Sequence, residues 1–254
     1  MPERRPVAQS PCRYLYDGSL AGFYCCVYQS FLARQIPMAV CAAGAAQPCL
    51  WPDEAFDTDE VMARRVRAGI GSRLSPRVSD LVENVFFSCM DEKETALLRF
   101  LHRAFAVGPK IINMLGDADV AALLKAELHL HRESHLFLGF VRFQDTGGAL
   151  TATISPKNFV LPYIANHFIC RFSGENFMIF DKTHSAALIY ENRKKQIIRA
   201  EGFTPPPPTK DEQYYRSLWK QFYNTIAIAA RENPRCRMTH MPKRFWENLT
   251  EMQE

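Results

Sequence analysis

The sequence LGFVRFQ-DTGG-ALTATI at residues 138–154 decides how the rest of the chain is interpreted. Two apolar runs flank a short link with two glycines, which is typical of a β-hairpin. After Pro156, residues 159–172 carry apolar side chains at three- and four-residue spacing, which predicts a helix. The runs FMIFD (177–181) and ALIY (187–190) then predict a second pair of strands. The predicted order of this unit is therefore β-β-α-β-β.

The strand predicted at residues 138–144 displays aromatic and cationic side chains. Because successive side chains of a strand point to opposite sides, Phe140 and Arg142 are expected on one face and Phe143 on the other. Aromatic rings interleaved with arginine suit unpaired bases, which stack on rings while guanidinium groups meet phosphates. The alternative is that each ring packs beneath the helix and the arginine extends into solvent.

The composition is that of a globular protein with a mild positive charge. Among the 254 residues, 47% are hydrophobic and 12% aromatic, which excludes a disordered chain. The net charge of +4 is too small to demonstrate a polyanionic partner, but basic residues cluster at 64–77, 193–199 and 231–244. These clusters either line one groove or lie on separate solvated faces.

Cysteine usage and the N-terminal segment both favour a cytoplasmic protein. The 8 cysteines are scattered without a C-x-x-C pair, so neither a disulfide framework nor a zinc or iron–sulfur site is expected. Residues 1–13 carry charge without the apolar segment of a signal peptide. No run approaches the roughly 20 apolar residues that span a bilayer. We therefore expect reduced thiols, no membrane association, and no metal or cofactor.

The segment before the sheet unit is predicted to be mainly helical. A loose leader is expected over residues 1–12, followed by a short strand at 14–16 and an apolar helix over 20–36. A connector with weak periodicity spans 39–51, and amphipathic helices continue to residue 137.

After the sheet unit, four prolines at 205–208 predict an extended tether. The helix predicted over 212–230 has an aromatic stripe that we expect to pack on the body of the protein. We divide the chain into regions 1–137, 138–203 and 204–254, which are expected to form one integrated domain. The predicted class is α+β, with a helical N-terminal half packed with a β-β-α-β-β antiparallel sheet unit and C-terminal helices.

Four stretches of the chain together carry a family resemblance. They are Y-L-Y-D-G-S-x-x-G-F at 14–23, R-E-S-H-x-x-x-G-F-x-R-F at 132–143, L-x5-H-F-x-x-R-F at 161–172 with I-F-D-K at 179–182, and M-P-K-R-F-W at 241–246. In order and spacing they resemble a bacterial family of DNA-metabolism proteins that carry a domain of unknown function. The genes of this family lie beside a gene for a radical-SAM protein of DNA repair, and a similar domain is fused to family-4-type uracil-DNA glycosylases. The resemblance implies a role in DNA repair or modification and specifies no reaction.

The first functional hypothesis is an accessory protein that binds single-stranded or damaged DNA and cooperates with a radical-SAM repair enzyme. Phosphate contacts and base stacking require basic and aromatic side chains together. The residues expected to contact DNA are Arg142, Phe143, His167, Arg171, Lys182, Lys243, Arg244 and Trp246.

Two alternatives remain open. The chain could be a nucleic-acid-processing enzyme (a glycosylase, lyase or nuclease), because carboxylates and imidazoles share acid–base work near neutral pH. Its catalytic candidates are Glu133, His135, His167 and Asp181. The H-R-E-S-H spacing that ends at His135 places two rings on one helix face but supplies no third ligand, so no metal site is predicted.

The other alternative is a protein-interaction scaffold that docks its partner through the proline tether and the aromatic C-terminal segment.

Overall fold

Two β-sheets, each in its own part of the chain, organise the fold. The computed structural model describes residues 8–253; residue 254 and residues 1–7, which belong to the expected leader, lie outside them. The described chain divides into two units, one up to Leu130 and one from His131 onwards. Sheets and helices occur in both units, so the predicted α+β class is confirmed.

The N-terminal unit contains a parallel sheet that the sequence pattern predicted only in part. Its first elements are β1 (Ala8–Tyr16), α1 (Leu20–Ala33), β2 (Gln35–Ala42) and β3 (Asp53–Ala55), with strand order β2-β1-β3. Strand β1 pairs in parallel with both neighbours. The prediction of a loose leader was therefore wrong from Ala8 onwards, where β1 begins. The prediction of a connector was wrong at its start, which belongs to β2. A local sequence pattern does not show that a segment pairs with a distant strand.

The first turn of α1 explains the sequence motif at its start. Ser19 caps the helix, since its Oγ accepts a hydrogen bond from the amide of Gly22 at 2.9 Å. A Cβ at Gly22 would collide with Asp17 Oδ1 and would lie 2.8 Å from Thr58 Oγ1. The motif therefore serves helix initiation and close packing.

Three further helices complete the core of this unit: α2 (Glu60–Arg73), α3 (Pro76–Phe86) and α4 (Lys93–Val107). The side chains of Asp59 and Ser75 cap α2 and α3. The core is apolar and continuous through α1, α3 and α4. These elements confirm the mainly helical character predicted for this part of the chain.

The C-terminal unit begins within α5 (Ala118–Phe140) and contains a five-stranded sheet. Its elements are β4 (Phe143–Asp145), β5 (Leu150–Ile154), α6 (Leu161–Arg171), β6 (Phe177–Asp181), β7 (Ala186–Glu191) and β8 (Lys194–Arg199), and the strands lie in chain order. The predicted order β-β-α-β-β is confirmed, with β8 added at one edge. The sheet is mixed and not antiparallel throughout, because α6 is a crossover that places β5 and β6 in parallel.

The strand predicted at residues 138–144 was wrong in its first half. Helix α5 continues to Phe140, and β4 begins only at Phe143. A short apolar run does not by itself distinguish a helix from a strand. The ring of Phe140 instead lies 5.0 Å from that of Phe245, and the expected strand face shared by Phe140 and Arg142 does not form.

The C-terminal elements are α7 (Lys210–Ile226), α8 (Pro234–His240) and a 3₁₀ helix at Lys243–Asn248. No side chain of α7 is buried, so the expectation that its aromatic stripe packs on the body was wrong. The stripe remains open to solvent, with Phe222 53% exposed.

The cysteines and the helices show two further features. All 8 cysteines are thiols that form no disulfides. Within residues 8–253, no helix combines the length and the hydropathy needed to cross a membrane.

Candidate functional site

A groove of about 570 Å³ in the C-terminal unit brings arginine and aromatic side chains together. It lies where the end of α5, strand β4, the last turn of α6 and helix α7 meet. The lining residues that matter for binding are Arg142, Phe143, Arg171, Phe172, Tyr215, Arg216 and Trp219. The structure thus places three of the predicted DNA contacts, Arg142, Phe143 and Arg171, in one groove.

The floor of the groove is an aromatic cluster between β4 and α6. The ring of Phe143 lies 4.9 Å from that of Phe172, 5.3 Å from Phe168 and 5.8 Å from Phe177. Phe143 is therefore half-buried and joins the strand to the helix. Phe172, directly after α6, extends the cluster into the groove.

Arg142 is fixed in the wall of the groove by a buried carboxylate. Its Nη2 and Nε donate to the two carboxylate oxygens of Glu251 at 2.6 and 3.3 Å. Trp219 Nε1 donates to the same carboxylate at 3.2 Å. Burial of the Glu251 side chain, which is 4% exposed, acts to raise its pKa, but the hydrogen bonds from Arg142 and the backbone outweigh burial and hold the pKa below its ordinary value. Glu251 therefore stays ionised and neutralises Arg142.

A second ion pair fixes α7 beside β4. Arg216 Nε donates to Glu212 Oε1 at 2.7 Å, and Arg216 Nη2 donates to Gln144 Oε1 at 2.7 Å. Glu212 Oε2 also accepts a hydrogen bond from the amide of Asp145 at 3.3 Å. These polar contacts hold the first turns of α7 against the strand and leave its aromatic residues unburied.

Three groups in the groove remain accessible. Arg171 is exposed, its guanidinium carbon lies 5.8 Å from the centre of the Phe172 ring, and no carboxylate within residues 8–253 forms an ion pair with it. Tyr215 is 65% exposed and Trp219 is 42% exposed. The groove therefore presents a cation that no acid neutralises beside accessible aromatic faces.

Two other predicted contacts lie on exposed surface outside the groove. His167 lies one turn before Arg171 on α6, so that both side chains share a helix face. Lys182 follows β6, and its Nζ lies 2.8 Å from Glu247 Oε1.

The remaining predicted contacts belong to the 3₁₀ helix near the C-terminal end. Lys243 Nζ lies 5.8 Å from the centre of the Trp246 ring, and Trp246 Nε1 donates to the Met241 carbonyl at 2.9 Å. Arg244 Nη1 donates to Glu133 Oε1 at 2.6 Å. None of the three is among the side chains that line the groove.

Glu133, a predicted catalytic candidate, is a fully bonded buried carboxylate. It is 1% exposed and accepts hydrogen bonds from the amides of Lys157 and Asn158 at 3.1 and 2.7 Å. Asn158 Nδ2 donates to it at 2.5 Å, and Arg244 neutralises its charge. We call Glu133, Lys157, Asn158 and Arg244 the Glu133 cluster. It joins the end of α5 to the loop before α6 and to the 3₁₀ helix.

Asp181, a second candidate, is also buried and bonded. Its Oδ1 accepts the amides of Thr183 and His184 at 3.0 and 3.1 Å, and its Oδ2 lies 2.7 Å from His184 Nδ1. His135 and His167 are exposed on two different helices, and neither forms a hydrogen bond with Glu133 or Asp181 in the described chain. The four catalytic candidates therefore do not form one hydrogen-bonded group. The His, Cys, Asp and Glu side chains of residues 8–253 also include no group of three or more that could hold a metal ion.

Four residues of the candidate sites were missed from sequence: His184, Tyr215, Arg216 and Trp219. Helical periodicity did mark Tyr215 and Trp219 as neighbours on one face of α7, but it was interpreted as a core face. The available signal for His184 was its position three residues after an aspartate that ends a strand.

The basic segment at residues 64–77 belongs to the N-terminal unit and is partly neutralised there. Arg67 pairs with Glu83 at 2.7 Å, and Arg77 pairs with Glu127 at 2.5 Å.

The fold and the groove define an α+β protein with an arginine- and aromatic-lined groove beside a mixed sheet. A family model described as a domain of unknown function, DUF4130, matches residues 91–251. The chain therefore belongs to the DUF4130 family, and the matched segment contains the whole groove. No curated protein and no solved structure matches the chain.

Proposed function

We propose that the protein binds single-stranded nucleic acid in the groove between α6, β4 and α7. The observation that carries this proposal is the exposed Arg171 beside the accessible rings of Tyr215 and Trp219. Nonspecific single-strand binding combines a positive groove for the backbone with aromatic side chains for the bases. Both components, the arginine and the aromatic rings, line the same groove.

The arrangement of rings along α7 suits successive bases. Tyr215, Trp219 and Phe222 follow one another at four- and three-residue spacing, so they share one side of the helix. Tyr215 and Trp219 are separated by an axial rise of about 6 Å. The rings of Trp219 and Phe222 have centroids 5.8 Å apart. Each exposed ring offers a face on which a base can stack.

A basic surface continues from the groove along α6. His167 and Arg171 share one helix face, and Lys195 of β8 reaches the same helix, since its Nζ donates to Asn166 Oδ1 at 2.8 Å. The phosphates of a strand that leaves the groove would meet Arg171 and Lys195, and the imidazole of His167 lies beside them.

The biological setting that we propose rests on the family resemblance alone. It is DNA repair in the cytoplasm, with single-stranded or damaged DNA as ligand and a radical-SAM repair enzyme as partner. The alternative hypothesis of a protein-interaction scaffold assigns the exposed rings of α7 to a protein partner. A nucleic-acid binding experiment distinguishes this hypothesis from the proposed function.

The test is fluorescence anisotropy of a labelled single-stranded oligonucleotide with the full chain. We expect binding at about 50 mM salt and an affinity that falls as salt rises, because phosphate contacts release counterions. Arg171→Ala should weaken binding and reduce the slope of log K against log salt by about 0.7. The matched control is Arg132→Ala, since Arg132 is an exposed arginine outside the groove.

Absence of binding at about 50 mM salt, where phosphate contacts are strong, would overturn the proposal. An unchanged salt slope in Arg171→Ala would overturn the assignment to this groove. In either case the exposed stripe of α7 would be assigned to a protein partner.

A further inference from the structure

A buried aspartate and a partly exposed histidine form a pair where strands β5 and β6 end. Asp181 is the last residue of β6 and is 0% exposed. One carboxylate oxygen accepts two backbone amides, and the other lies 2.7 Å from His184 Nδ1. Both oxygens are therefore fixed, and they hold the imidazole in one orientation.

The hydrogen bond determines which nitrogen of His184 carries the proton. An ionised carboxylate only accepts hydrogen bonds, so Nδ1 donates and the neutral ring keeps its lone pair on Nε2. The imidazole contacts Phe159 in a T-shaped arrangement, with ring centroids 5.4 Å apart, while the side chain remains 30% exposed. An imidazole that is held in one orientation by a carboxylate and is partly open to solvent is the arrangement of a general base.

The pair lies at a position in the sheet that favours ligand binding. Strands β5 and β6 are the parallel pair, and ligands of open sheets bind beyond the carboxyl ends of parallel strands. The segments that follow these strands are adjacent, because the Lys182 amide donates to the Ile154 carbonyl at 2.9 Å. Lys157 and Lys182 are exposed on these two segments.

The charged groups around the pair balance: the carboxylates of Asp181, Glu133 and Glu247 are matched by Arg244, Lys182 and Lys157. Glu133 of α5 is neutralised by Arg244, and Glu247 of the 3₁₀ helix pairs with Lys182 at 2.8 Å. Lys157 is exposed, and no carboxylate within residues 8–253 pairs with its side chain. Lys157, on the segment that leads to Phe159, is therefore the cation available to an anionic substrate.

We propose that His184 is the general base of a phosphodiester hydrolysis, with Asp181 as its positioning residue. This inference rests on the proposed function, because the substrate would be the single strand held in the groove. The groove lies at the C-terminal end of α6, and Phe159, which contacts His184, precedes its N-terminal end. The 11 residues of α6 span about 16 Å, a distance that a few nucleotides of an extended strand can cover.

The reaction balances without a redox step or an added reactant other than water. His184 Nε2 takes a proton from a water molecule, and the water oxygen forms a bond to phosphorus. The bond between phosphorus and the leaving oxygen breaks, and that oxygen takes a proton from solvent. The imidazolium then returns its proton to solvent, and the products are a phosphomonoester and an alcohol. Lys157, which has no acidic partner among the described residues, stabilises the negative charge that develops on the phosphoryl oxygens.

The experiment follows cleavage of a labelled single-stranded DNA oligonucleotide by the full chain on denaturing gels. We expect shorter products with the wild type and at least a 100-fold lower rate with His184→Gln, because positioned acid–base groups contribute about 10²–10⁴-fold. His184→Ala should regain part of the rate when free imidazole is added. The matched control is His240→Gln, an exposed histidine of α8, which should cleave at the wild-type rate.

Asp181→Asn tests the positioning role by a spectroscopic signature. An asparagine amide can donate to Nδ1, so the ¹⁵N chemical shifts of His184 should report the other tautomer in a folded variant. An unchanged tautomer would overturn the role of Asp181. Binding without cleavage by the wild type, or equal cleavage by His184→Gln, would overturn the general-base assignment and leave the proposed binding function intact. If the wild type neither binds nor cleaves, both proposals fail.

Discussion

The Glu133 cluster and the groove, both in the C-terminal unit, differ in how the charges of their arginines are neutralised. In the Glu133 cluster, the carboxylate is buried and four donors surround it, with the Asn158 amide 2.7 Å away. In the groove, Arg142 is neutralised by Glu251, but Arg171 has no acidic partner among the described residues and two rings stand open to solvent. The first region braces the fold, and the second has groups available for a ligand.

This comparison assigns a structural role to two arginines of the family motifs that were predicted to contact DNA. Arg142 and Arg244 both belong to the stretches that carry the resemblance, and both are held by carboxylates that are almost completely buried. A charge that is already neutralised gains little from a phosphate. The arginine best placed to meet a phosphate is therefore Arg171.

The largest effect is expected in the Glu133 cluster. Glu133→Ala leaves Arg244 and the backbone amides of the following loop without their acceptor, and it should lower the free energy of unfolding by about 3 kcal/mol. This value is at the low end of the usual range because the Arg244 side chain is 33% exposed and can regain water. Urea denaturation measures the change, with Glu201→Ala as an exposed control that should stay within about 0.5 kcal/mol of wild type. A loss below about 1 kcal/mol would show that the cluster is not a brace.

The next effect separates the two arginines of the groove. Arg142→Ala leaves the buried Glu251 without its cation and should cost about 2 kcal/mol of stability. Arg171→Ala removes an exposed side chain and should change stability by less than about 0.5 kcal/mol while it weakens DNA binding. Parallel urea and anisotropy measurements on both variants test this split. If Arg142→Ala and Arg171→Ala lost equal stability, the distinction between a structural Arg142 and a ligand-binding Arg171 would be wrong.

A smaller effect is expected from the aromatic side of the groove. Tyr215→Ala should weaken single-strand binding about tenfold, because stacking on one ring contributes about 1–3 kcal/mol. Tyr214→Ala is the matched control: it is 61% exposed and adjacent, yet it is not part of the groove lining. If both variants bound equally well, base stacking on this face of α7 would be excluded.

The smallest effect concerns the pH dependence of the Arg142–Glu251 pair. The pKa of Glu251 is lowered in the folded state, so its contribution to stability is present above the unfolded pKa of about 4.3 and is lost as pH falls through the folded pKa. The difference in unfolding free energy between wild type and Glu251→Gln should therefore shrink on acidification below about pH 4. Denaturation curves at several pH values follow this change. A difference that stays constant with pH would mean that the carboxylate is not charged in the fold.

Much of the sheet unit could be predicted from the chain because its strands are local apolar runs and Pro156 separates them from the helix. The end of α5 could not, since the run from Leu138 to Phe140 fits a helix as well as a strand. Strand β2 was missed because its only strong signal is its pairing with β1.

The candidate site, like the fold, could be predicted only in part from the sequence. Arg142 and Phe143 could be chosen because aromatic and cationic residues alternate in the predicted strand, and Arg171 because it lies in a stretch that carries the family resemblance. Tyr215 and Trp219 could not be assigned to the groove, because periodicity shows which residues share a face of α7 and not what covers that face. The only signal for His184 is its position three residues after Asp181, and that spacing does not reveal that the carboxylate is buried and bonded to the ring.

The most direct test of the central claim is photocrosslinking of a bromouracil-substituted single-stranded oligonucleotide to the full chain, mapped by mass spectrometry. The groove described above predicts crosslinks in peptides that contain Phe172, Tyr215 or Trp219. Crosslinks confined to the arginine-rich residues 60–86 of the N-terminal unit, with none in those peptides, would contradict it.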